Sequence, residues 1–240
     1  MKKFICASLC MLICAGVFTG CGKTIDSDTS MIYVNKKGAV VSVDVEELGQ
    51  SYYDETELKS FVDDAIADYT SENGKNAVKV ADLSVENKSA KLKMKYKSTD
   101  DYSKFNGIEL YQGKVVKALA AGYDFDADFV CVEDGKVTGS ASKEDIYAAD
   151  DLKVLIIKAN TDVKIDGTIC YVSTENVQLT GSDSVSIRDG YQVSGAEESA
   201  ASTETVNDTD SSENLNVTDE PQNAKDGSFE TEVYTYIVYK

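Results

Sequence analysis

The sequence has 240 residues, a formal net charge of −18, six cysteines, one proline, and neither histidine nor tryptophan. Without histidine, Ser-His-Asp and Cys-His catalysis and the usual histidine-based metal sites are excluded. The acidity argues against electrostatic binding of nucleic acid or anionic lipid, and the length suits one large domain or two small ones.

Lys2 and Lys3 precede residues 4–18, which carry no charge. That run is too short to span roughly 30 Å of hydrocarbon, which takes about twenty residues. A basic start, a short apolar core and small residues at its end mark a cleaved export signal. Here the small residues lead into a cysteine. Phe18-Thr19-Gly20-Cys21 resembles the bacterial lipobox, with Phe18 where Leu is usual. The resemblance implies a signal peptide over residues 1–20 cleaved after Gly20, and diacylglycerol on Cys21. It also implies a cell-membrane lipoprotein on the extracytoplasmic face, with the bilayer as its partner through the acylated Cys21. Loss of Lys2 and Lys3 takes the net charge from −18 to −20. Gly20-Cys21-Gly22-Lys23-Thr24 imitates the end of a phosphate-binding loop. That motif needs glycine where Val17 stands and a helix where residues 25–30 run polar and aperiodic, so no nucleotide is expected.

Cys6, Cys10 and Cys14 leave with the signal. Cys131 and Cys170 remain, each in an apolar run, and either form a disulfide or sit as two buried thiols. Two cysteines do not make a closed zinc site, and no metal or other cofactor is expected.

Residues 21–30 read as a lipidated tether and residues 31–195 as an α+β body. Residues 31–34 and 39–45 flank a turn ending in Gly38 and form a hairpin. In its second strand Val41, Val43 and Val45 alternate with Ser42 and Asp44, which predicts one wet face. A long amphipathic helix over residues 54–72 follows from the stripe Leu58, Phe61, Val62, Ala65, Ile66 and Tyr69, capped by Asp54 with Glu57. A second hairpin covers residues 78–85 and 90–96. Its lysines, Lys91, Lys93, Lys95 and Lys97, read as the solvated face of a strand or as an edge strand protected by charge. Short helices are predicted over residues 100–105 and 115–121.

Tyr123-Asp124-Phe125-Asp126-Ala127-Asp128-Phe129 is the strongest candidate for a site. In an extended chain Asp124, Asp126 and Asp128 share one face. The calcium-loop pattern fails, because Phe129 and Gly135 hold the places of its Gly and Glu. The segment therefore reads as an amphipathic strand edge, with these aspartates only weak metal candidates. Short strands around residues 129–132, 136–138, 154–157, 163–165, 168–172, 177–179 and 185–187 predict a mostly antiparallel sheet arranged as a meander.

Residues 196–228 are rich in Ser, Thr, Asn, Asp and Glu and read as a disordered acidic linker. Residues 229–240 return to β character and read as a strand docked on the body. Asp101-Tyr102-Ser103-Lys104-Phe105-Asn106-Gly107 and Tyr236-Ile237-Val238-Tyr239 resemble fragments of uncharacterised lipoproteins of Gram-positive anaerobes, which implies no activity. The expectation is a non-enzymatic, lipid-anchored extracytoplasmic surface protein that binds an envelope protein or ligand, or serves as a structural part. Two alternatives are a glycan hydrolase using a carboxylate pair about 5–9 Å apart, and a solute-binding subunit of an importer with two α/β lobes.

Overall fold

A computed structural model describes residues 25–48, 55–193 and 233–240. The signal, Gly20, Cys21, Asp54 and the acidic linker lie outside the described residues. In chain order the elements are β1 (Met31–Val34), β2 (Val40–Glu47), α1 (Glu55–Asn73), β3 (Val78–Glu86), β4 (Ser89–Tyr96), α2 (Thr99–Asn106), β5 (Leu110–Lys114) and α3 (Val115–Ala120). They continue as β6 (Phe129–Glu133), β7 (Lys136–Ala141), α4 (Lys143–Ala148), β8 (Lys153–Ile157), β9 (Asp162–Ile165), β10 (Ile169–Ser173), β11 (Glu175–Leu179), β12 (Ser184–Gln192) and β13 (Thr235–Tyr239).

The strands form two sheets, and the fold is sheet-rich, mixed with helices and mostly antiparallel. The first sheet has seven strands in the order β11-β12-β9-β1-β2-β4-β3; the second has six, ordered β5-β8-β13-β10-β6-β7. One pair, β1 with β9, runs parallel. The expected meander is not formed. From β8 to β11 the chain alternates between the sheets, so β9 and β11 lie in the first sheet and β8 and β10 in the second. The reason is visible in β8. Val154, Leu155, Ile156 and Ile157 are all fully buried; Leu155 and Ile157 face the core between the sheets, while Val154 and Ile156 face a second core outside. A strand covered on both faces shows no alternation that would assign it to a layer.

The main core fills the space between the sheets, with Ile32, Val34, Val40, Val78, Met94 and Tyr96 on one side and Val130, Val172, Ile237 and Tyr239 on the other. The second core lies on the outer face of the six-stranded sheet, where Val115 and Ala118 of α3 and Ile146 of α4 cover Phe125, Phe129, Tyr236 and Val238. Helix α4 has no counterpart in the expected elements. It begins at Ser142, whose hydroxyl accepts from the Asp145 amide while the Asp145 carboxylate accepts from the Ser142 amide. Helix α2 ties the sheets together: Ser103 Oγ accepts from the Leu110 amide of β5 at 2.9 Å, and the Tyr102 ring meets Tyr96 of β4 edge-on at 5.0 Å.

Three local expectations change. Strand β4 pairs with both β2 and β3, so its lysines do not guard an edge. In β2 the polar residues face inward: Ser42 is 1% exposed and pairs with Ile32 of the main core, whereas Val41, Val43 and Val45 face out. Phe61 of α1 is 73% exposed and only Val62 of that helix is buried, while Leu58, Ile66 and Tyr69 lean on the core from the side. Among the described residues, no helix is long and apolar enough to cross a membrane.

Candidate functional site

The valines on the outside of β2 are covered by the chain itself. Ile25 lies over the outer face of the seven-stranded sheet, 7% exposed, and forms a small cluster with Tyr33 and Val43, backed by Met31, Val41 and Val45. Residues 25–30, expected to belong to a tether, are thus laid across the sheet. They are held there by a run of polar contacts. Lys93 Nζ donates to the Ile25 carbonyl. Lys91 Nζ donates to Asp26 at 2.6 Å and stands 3.7 Å from Asp28. Ser30 Oγ accepts from the Val45 amide at 2.9 Å, and Thr29 Oγ1 donates to Asp162 Oδ2 at 3.3 Å. The hydrogen bond from Lys91, and then its charge, hold the Asp26 carboxyl below its ordinary range. The bond to Asp26 in turn raises Lys91.

This crossing divides the sheet face into two open cavities. One, of about 780 Å³, has Ile25 and Met31 at its wall and Asp162, Lys164, Gln178, Thr180 and Ser186 on its floor. Its central carboxylate is already engaged: Asp162 accepts from Ser186 Oγ at 2.7 Å and from the Arg188 guanidinium at 3.0 Å. The other, of about 730 Å³, is lined by Lys91, Lys93 and Lys95 against Asp26, Asp28, Asp82 and Glu86. Both are broad; the first is lined by more apolar than polar surface, and the second is the more polar. They offer charges and hydroxyls to a polar partner and no aromatic platform.

The sequence candidates lie elsewhere. Asp124, Asp126 and Asp128 are all exposed, but their segment is not a strand. Phe125 takes φ of +53° and its carbonyl accepts from the Ala127 amide, which folds the segment into a turn. Asp124 Oδ1 accepts from the Asp126 amide at 3.1 Å. Asp126 and Asp128 line a third cavity of about 370 Å³ with Glu175, Tyr191 and Tyr234; Asp124 does not. Among the described residues, no group of three acidic, cysteine or histidine side chains is placed to hold a metal ion. Cys131 and Cys170 are free, half-buried thiols, with Sγ contacts of 3.7 Å to the Ser140 carbonyl and 3.6 Å to the Thr168 carbonyl. Burial raises the pKa of both. Close by the third cavity, the hydroxyls of Tyr123 and Tyr234 donate to the two oxygens of Glu109 at 2.8 and 2.6 Å. The bond to Glu109 leads the causes that push Tyr234 up to about 12.

Sequence reasoning missed Ile25, Asp162 and Arg188. Ile25 did leave a signal, as a lone large apolar residue heading a polar run. Asp162 and Arg188 left none, because their pairing depends on β9 and β12 becoming neighbours. No protein-family model, curated protein or solved structure matches this chain.

Proposed function

We propose that the chain is a lipid-anchored extracytoplasmic surface protein whose body serves the cell envelope as a non-catalytic binding or structural part. The observation that carries this reading is the charge-free run of residues 4–18 closing on Thr19-Gly20-Cys21. Two acyl chains on one residue give stable attachment, where a single chain binds only marginally. Support for binding over turnover comes from the sheet face. Its carboxylates Asp26 and Asp162 are committed to Lys91, Arg188, Ser186 and Thr29, and a carboxylate so engaged is a poor general base. The core shared by both sheets supports a surface protein over a two-lobed importer subunit. The same reading takes α1 as an amphipathic helix beside β3 and residues 196–228 as an acidic linker. The partner is an envelope protein or ligand.

Cys21→Ala tests the anchor. The variant is expected to accumulate as an unlipidated precursor and to leave the detergent phase on temperature-induced partitioning. If it partitions like the wild type, the acyl anchor is wrong.

A further inference from the structure

We propose that the anchored protein stands with the outer face of its seven-stranded sheet, and the exposed Lys95 and Lys97 at the end of its lysine row, against the phospholipid headgroups. The proposal rests on the reading of Cys21 as acylated and adds to it which surface meets the membrane.

The first argument is chain length. An acylated Cys21 is fixed at the boundary between hydrocarbon and headgroups. Cys21 lies four positions before Ile25, so Ile25 is held within about 14 Å of that boundary even if the intervening chain is drawn straight. The headgroup layer occupies about 5–8 Å of this distance. Ile25 is not the tip of a stalk. It is packed on Tyr33 and Val43, and its carbonyl accepts from Lys93. Whatever distance limits Ile25 therefore limits the sheet face beneath it. The opposite surface, carried by α3 and α4, is farther by the spacing of two sheets, about 10 Å, and by a helix layer of about 8–10 Å more.

The second argument is charge. The net charge, −18 for the full sequence and more negative once Lys2 and Lys3 leave with the signal, gives no long-range attraction to anionic lipid. Attachment comes from the acyl chains and the orientation from the short chain between Cys21 and Ile25; the charge of the face is mixed, because Asp26, Asp28, Asp82 and Glu86 share the cavity with the lysines. Lysines occupy alternate positions from Lys91 to Lys97, all on or beside the face that carries Ile25, and Lys95 and Lys97 are exposed. Lys91 and Lys93 are engaged by Asp26, Asp28 and the Ile25 carbonyl, so the exposed Lys95 and Lys97 are left to meet lipid phosphates, which stabilise them within a Debye length.

The absence of tryptophan makes the orientation measurable, since a single introduced Trp reports alone. Gln178→Trp places the reporter in the cavity it shares with Ile25. Val116→Trp places it on the exposed side of α3, on the opposite surface. The full-length lipidated protein is reconstituted in phosphatidylglycerol–phosphatidylcholine vesicles carrying a nitroxide on the headgroup. Quenching is expected to be several-fold stronger for Gln178→Trp than for Val116→Trp, and Lys95→Glu combined with Lys97→Glu should narrow the difference. Equal quenching, or stronger quenching at position 116, overturns the orientation. So does the absence of quenching at both positions in protein that sediments with the vesicles. A difference unmoved by the charge reversal overturns the assignment to the lysine row. If Cys21→Ala sediments with vesicles as the wild type does, the anchor itself is wrong and the orientation falls with it.

Discussion

Asp44 points toward the main core from the inner face of β2, near Tyr96 and Tyr102, with Ser42 Oγ donating to it at 2.8 Å. Burial raises its pKa, and the Ser42 bond only partly opposes the shift. The folded state therefore holds the proton more tightly than the unfolded chain. Stability contributed by the neutral carboxyl is present below the ordinary carboxylate range and is lost as pH rises through the raised value. Asp44→Asn keeps an acceptor for Ser42 and removes the charge. It should raise the melting temperature at pH 7 and leave it nearly unchanged at pH 3, measured by calorimetry. An equal effect at both pH values would trace the change to packing instead. This residue also shows where the sequence misled. Val41, Val43 and Val45 look like the core face of β2, yet they lie outside under Ile25, and Ser42 and Asp44 face in. Periodicity reveals that a strand has two different faces. It cannot reveal that both are covered, because the cover comes from a residue outside the strand.

Among the elements, β13 has the least freedom. All five of its residues are buried, and it pairs with β8 on one side and β10 on the other. Tyr236 stacks on Phe125 at 4.9 Å and lies 5.9 Å from Phe129. Tyr236→Ala opens the outer core at its centre and should cost about 3–5 kcal/mol by denaturant titration, as for other buried aromatic residues. A loss below about 1 kcal/mol would mean that the site collapses around the gap. The strand's β character was legible from its alternating aromatics and β-branched residues. Its central position was not, since nothing local in residues 235–239 says which two strands will flank it. The hairpins β1–β2, β3–β4 and β6–β7 were legible because their pairing is sequential and their turns carry Gly or Asn. Helix α4 was not, although the Ser142 to Asp145 spacing of its cap was in view. Six residues with one buried side chain, Ile146, give too little periodicity to register. The aspartates of residues 124–128 were placed on one face by an extended-chain argument that the left-handed Phe125 invalidates.

At the scale of the whole molecule, 42 acidic residues against 24 basic ones repel one another. The exposed pairs, such as Lys104 with Asp100 and Lys114 with Asp151, are of the kind that contributes little. Screening should therefore help more than it harms, and the melting temperature should rise as sodium chloride is increased from low concentration to about 0.5 M. A fall would assign the larger share to local pairs, with Arg188–Asp162 and Lys91–Asp26 the first to examine. The place of β13 also sets a clock. As the chain emerges across the membrane on the proposed export route, strands β8 and β10 appear well before β13, and about forty residues separate the end of β12 from the start of β13. With export keeping pace with synthesis at roughly 5–20 residues per second, that interval lasts a few seconds. Until β13 arrives, the six-stranded sheet can form only as two pieces, each with a five-residue edge whose amides and carbonyls lack their neighbour. Any chaperone, protease or second nascent chain that acts on this protein has those seconds, and that cleft between β8 and β10, in which to do so.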